Sequence, residues 1–99
     1  MNPKRHAYQV LLRPLDPDSP QASKAIEFLH LNHDDLFRIV DLVRATSGLP
    51  AESATALAVG LKLLAQTMLD HRDDPMFLDL NPPLRDFIRV LKSRVATSS

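Results

Sequence analysis

Apolar and polar residues alternate twice near the start of the chain, after which the period lengthens. In "AYQVLL", residues 7–12, Tyr8, Val10 and Leu12 recur at period two, and in "AIEFLHL", residues 25–31, Ile26, Phe28 and His30 do the same. Such alternation belongs to strands, whose successive side chains point to opposite faces. Strands are therefore predicted over about residues 7–13 and 25–31. Between them "RPLDPDSPQ" carries Pro14, Pro17 and Pro20, which fix φ and remove backbone donors. The connection should be exposed and longer than a tight hairpin turn.

From Asp34 the pattern becomes helical: Leu36, Ile39, Val40 and Val43 share a stripe, and Asp34, Arg38, Asp41 and Arg44 point elsewhere. A first helix is predicted over about residues 33–46, ending at "SGLP", where Gly48 can take the left-handed cap, Leu49 can close an apolar contact and Pro50 blocks continuation. A second, central helix over about residues 51–72 carries Ala54, Leu57, Ala58, Leu61, Leu64, Ala65 and Met68 at spacings of three and four. Gly60 inside it costs about 1 kcal/mol relative to alanine, so Ala56 and Gly60 read as a shallow notch for a neighbouring backbone. After "DLNPP", with Pro82 and Pro83 suited to a first turn, Leu84, Phe87, Ile88, Leu91 and Val95 define a third helix over about residues 83–95. The prediction is a single α+β domain over residues 1–99: a two-stranded antiparallel hairpin followed by three helices packed on one side, order β-β-α-α-α. A two-stranded sheet is marginal alone and must be packed against the helices or extended by a partner chain.

Composition removes several kinds of chemistry. The chain has no cysteine, which excludes disulfides and thiolate sites, and a formal net charge of zero, which gives no global attraction to nucleic acid or anionic membrane. Its two glycines, Gly48 and Gly60, are too few for a phosphate-cradling loop, and no serine stands in a nucleophile elbow. No catalytic residue is identified, and a non-enzymatic protein is expected. "MNPKRHAYQV" lacks the apolar run of a signal peptide, and "ALAVGLKLLAQTML" is interrupted by Lys62 and Gln66 and too short to span a bilayer. A cytoplasmic protein without membrane association is expected.

Two groupings, "LNHDDLF" and "HRDDP", combine histidine with paired aspartates, donor types that suit zinc and other divalent ions. Their positions suit helix punctuation better. Asn32 falls where an N-cap is wanted, with Asp34 and Asp35 in the first turn at the positive end of the helix dipole. His71 and Arg72 fall in the last turn of the second helix, and Asp73 or Asp74 can cap a short turn begun by Pro75. A metal site would draw on His30, His33, Asp34 and Asp35, with His6 and His71 in reserve, but His30 and His33 straddle a strand-to-helix junction instead of aligning on a helix face. No metal and no cofactor is therefore expected. In one register His30 lies opposite Tyr8, where a bond between the two side chains is the simplest role for the imidazole. Arg85, Arg89, Lys92 and Arg94 make the third helix locally basic, and Asp70, Asp73, Asp74 and Asp79 make the preceding segment acidic. Both read as solvated faces, and no basic recognition helix follows the first inter-helix turn.

"NHDDLF", "GLKLLAQTML", "DPMF" and "DFIRVLK" together resemble a family of small bacterial proteins, the domain of unknown function 3861. The resemblance covers about residues 5–95, with "NHDDLF" and "GLK" its most specific parts. It implies a compact α+β domain in the bacterial cytoplasm, with no activity, cofactor or catalytic residue assigned.

The pattern feature that bears most on function is the leucine surplus. Leu11, Leu29 and Leu31 alternate away from the Val10 and Phe28 face, so both faces of the hairpin carry large apolar residues, where a solvated face should be polar. The expected function is a protein–protein interaction module, working as a homodimer or with another protein partner, with Leu11, Leu29, Leu31, Ala56 and Gly60 as interface residues. The alternatives are a metal-binding or metal-sensing protein using His30, His33 and the nearby aspartates, and a weak nucleic-acid binder acting through the third helix.

Overall fold

A computed structural model describes the backbone of residues 5–97 and the side chains of residues 5–94. The Val95 side chain, expected in the third apolar stripe, lies outside the described residues, as do residues 1–4 and 98–99. The element order is the predicted one: strands β1 (His6–Leu12) and β2 (Ile26–Asn32), then helices α1 (Leu36–Thr46), α2 (Ala51–Asp70) and α3 (Asn81–Thr97). A 3-10 turn, Pro75–Phe77, stands between α2 and α3. The chain forms an α+β fold of two compact units, one ending at His33 and the other beginning at Asp34.

In the first unit β1 and β2 pair antiparallel, and residues directly opposite one another share a face. Tyr8 faces His30, Val10 faces Phe28 and Leu12 faces Ile26, as the period-two pattern predicts. The other face pairs Ala7 with Leu31, Gln9 with Leu29 and Leu11 with Glu27. The connection is ordered by local turns: Asp18 N–H donates to Asp16 Oδ1 at 2.9 Å, and Gln21 N–H donates to Ser19 Oγ at 3.0 Å.

The second unit is organised by the contact of α1 with α2. Val43 packs against Ala54 and Ala58, all three buried, and Ile39 and Val40 close the sides of the cluster. Alanines one turn apart on α2 leave a shallow stripe that lets the α1 side chains approach the α2 backbone. The linking turn is set by Gly48, whose φ of 82° lies in the left-handed region that side chains disfavour. Ser47 is buried beside it, its Oγ accepting from Leu49 N–H at 3.2 Å. The Ser47 carbonyl accepts from Arg94 Nη1 at 3.1 Å, which ties α3 to the end of α1.

Three sequence expectations are corrected. The α1 N-cap is Asp35, not Asn32: Asp35 is extended, with φ −76° and ψ 105°, and its carboxylate accepts from the N–H groups of Phe37 and Arg38. Asn32 still belongs to β2, paired with His6, so His33 and Asp34 precede the helix and no acidic residue occupies its first turn. The second helix ends at Asp70, because His71 leaves helical geometry at φ −126° and ψ 38°, which puts His71 and Arg72 beyond the last turn. Gly60 receives no neighbouring backbone: a Cβ built there would meet nothing within 4 Å, since α1 packs on the Ala54 and Ala58 stripe. Asp74 does cap the turn begun by Pro75, accepting from Met76 N–H at 2.9 Å.

The two glycines should respond to substitution in opposite directions. In urea unfolding, Gly60→Ala should stabilise by about 0.5–1 kcal/mol through helix propensity, whereas Gly48→Ala should destabilise by about 1–2 kcal/mol through its left-handed φ. A destabilised Gly60→Ala protein would show that the glycine is needed for contact with another chain.

Candidate functional site

The hairpin gathers Leu11, Leu29 and Leu31 onto one face, as their parity requires, and leaves them 50%, 71% and 40% exposed. Ala7 extends the strip, and Gln9 and Glu27 are its polar members. Leu29 lies diagonal to Leu11 and two residues from Leu31, spacings at which leucine side chains form a continuous patch. The opposite face is also open: Leu12, Ile26 and Phe28 are exposed, and Val10 is half-buried. Among the described residues the sheet has only these two strands, so each offers a free backbone edge. Two apolar faces and two open edges suit strand addition or face-to-face packing by a protein.

Near the open end of the hairpin, polar groups satisfy one another. Asn32 is buried and its Nδ2 lies 3.0 Å from His30 Nε2; the amide can only donate, so the ring nitrogen accepts there. His30 does lie opposite Tyr8, and the Tyr8 ring stacks on His6 with centroids 6.4 Å apart. The role of Asn32 as a partner for His30 escapes period reasoning because the two are neighbours on one strand face, where the sequence offers only a generic polar residue.

Three of the four candidate metal donors have other partners. His30 meets Asn32, Asp34 forms an ion pair with Lys62, and Asp35 Oδ1 is 3.0 Å from Phe37 N and 3.4 Å from Arg38 N. His33 is exposed just past β2. Among the described residues, no three His, Asp or Glu side chains come together in a way that could hold a metal ion.

The remaining candidates lie on helices of the second unit. Ala56 and Gly60 are exposed one turn apart on α2, in the second unit. Of the α3 cations, Arg89 pairs with Asp86 of its own helix at 3.2 Å and Arg94 is bound to the Ser47 carbonyl, which leaves Arg85 and Lys92 as a sparse charge pair for a phosphate backbone. No described helix is long and apolar enough to cross a membrane.

Comparison with known proteins places the chain in a family and beside a solved structure of the same fold. The model of a family described as a domain of unknown function with solved structure, DUF3861, matches residues 6–93. A crystal structure of a protein of unknown function from Pectobacterium atrosepticum is similar, with a TM-score of 0.80 and 28% identity over 91% of this chain and 99% of that one. No curated protein matches the chain.

Asp35→Ala removes the α1 cap and should cost about 1 kcal/mol of stability. Adding zinc, nickel or manganese to metal-free protein should leave its melting temperature unchanged. A rise of several degrees with one of these ions would restore the metal reading.

Proposed function

The chain belongs to the DUF3861 family, and from that premise we propose that it is a non-enzymatic protein–protein interaction module that pairs with a second copy of itself through the β1–β2 hairpin. The observation that carries the reading is the exposed strip of Leu11, Leu29 and Leu31 on a hairpin whose other face is also apolar. A two-stranded sheet gains stability by recruiting more strands or a covering layer, and a free, apolar edge strand is normally protected from foreign pairing. Here neither proline nor lysine interrupts β1 or β2 between their ends. A symmetric partner would cover these leucines with the same leucines, the self-complementary geometry of a twofold dimer. Zero net charge removes long-range repulsion between copies.

Native mass spectrometry and sedimentation should find a dimer. Leu29→Lys and Leu11→Glu should each weaken it by about tenfold or more, the size of effect expected for a central interface side chain. Because both residues are exposed, the far-UV circular dichroism and melting of the variants should stay close to those of the parent. A parent protein that is monomeric at every accessible concentration would refute the homodimer.

A further inference from the structure

The second unit contains a groove of about 350 Å³ between the end of α2, the 3-10 turn and the start of α3. Its floor and walls are apolar, built from Met68, Leu69, Phe77, Leu78, Leu84 and Ile88. Arg72 and Arg85 also line it, and neither has a carboxylate partner among the described residues. Of the four aspartates in this acidic segment, Asp70 accepts from Gln66 Nε2 and Asp74 caps the 3-10 turn, and neither these nor Asp73 and Asp79 form an ion pair with Arg72 or Arg85. A half-open apolar slot with two unpaired guanidinium groups fits an occupant that offers an apolar anchor flanked by anions.

The chain carries such a segment. Leu15, in the connection between β1 and β2, is 92% exposed, the most exposed of the large apolar side chains described. Asp16 and Asp18 follow it at once, both exposed and neither paired with a cation among the described residues. The segment is also preorganised. Pro14, Pro17 and Pro20 limit its backbone, Asp16 Oδ1 accepts from Asp18 N–H, and Ser19 N–H donates to the Asp16 carbonyl at 3.2 Å. A rigid loop loses little conformational freedom on docking, which favours its use as a binding element. A loop tip needs no leucine for solubility or turn geometry, so its presence between proline and aspartate is otherwise unexplained.

We infer that in the dimer the "PLDPD" loop of each copy docks into the α2–α3 groove of the other, with Leu15 in the apolar slot and Asp16 and Asp18 against Arg72 and Arg85. Reciprocal docking makes two identical contacts about one twofold axis, so the assembly closes at two subunits. The inference rests on the proposed self-association and adds to it a second contact made by other residues.

Complementation between two defective full-length chains tests it. A loop variant, Leu15→Asp with Asp16→Asn, and a groove variant, Arg72→Glu with Arg85→Glu, alter exposed positions only, and circular dichroism melting verifies that each is folded. Each alone should lose about tenfold or more in dimer affinity by sedimentation. Mixed in equal amounts they should form heterodimers more tightly than either forms homodimers, because one intact loop then meets one intact groove. A charge-exchanged chain with Asp18→Arg, Arg72→Asp and Arg85→Asp, which keeps the Asp16 turn bond, should recover part of the dimer affinity that Arg72→Asp with Arg85→Asp loses. Variants that dimerise like the parent, or a mixture that gains nothing, would overturn the loop-in-groove contact while the leucine-strip dimer stands. A parent that never dimerises would overturn both.

Discussion

The helical unit depends on the seating of Val43 against Ala54 and Ala58. Two alanines one turn apart let α1 lie close to α2, and that closeness sets what else is possible. It makes a short turn between the helices sufficient, and such a turn requires a residue in the left-handed region, supplied by Gly48. It also places the Ser47 carbonyl within reach of Arg94, so that α3 is held by a charge-assisted bond to the backbone. A larger residue at Ala54 or Ala58 would push the helices apart and disturb all three features, since close-packed contacts absorb added volume poorly.

The core formed in this way is small, and much of the apolar content is spent elsewhere. Leucines and aromatic residues remain exposed on the hairpin, in its connecting loop, around the 3-10 turn and on α3. Scattered exposed leucines are ordinary, but those here are grouped: one strip on a strand face, one side chain on a proline-rich loop and one apolar groove that two arginines also line. The proposed self-association rests on this grouping, since contiguous apolar exposure is uncommon on a solvated surface.

The histidine and aspartate groupings show how one set of residue types can serve different ends. Histidine beside paired aspartates has the donor chemistry of a metal site, yet three of the four aspartates in these groupings are occupied separately. Asp35 closes the start of α1, Asp34 meets Lys62 from α2, and Asp74 opens the 3-10 turn. Carboxylates that accept helix N–H groups or pair with ammonium groups are stabilised where they stand, and nothing in these arrangements aims them at a common point.

What the sequence determined by itself was local. The alternation of Tyr8, Val10 and Leu12 established β1 and its face, the stripe from Leu36 to Val43 established α1, and Gly48 with Pro50 marked the break before α2, because backbone periodicity and φ preferences act over a few residues. The parity that put Leu11, Leu29 and Leu31 on one face was legible for the same reason. Tertiary structure decided the rest. It assigned the α1 cap to Asp35, since how far β2 runs depends on its pairing with β1, and it left Gly60 open, since α1 chose the alanine stripe. It paired Asp34 with Lys62, 28 residues away, and assembled the groove of Arg72 and Arg85 from α2, the 3-10 turn and α3. Such contacts join residues far apart in the chain, and the periodicity of any one segment carries no information about the face another segment will present to it.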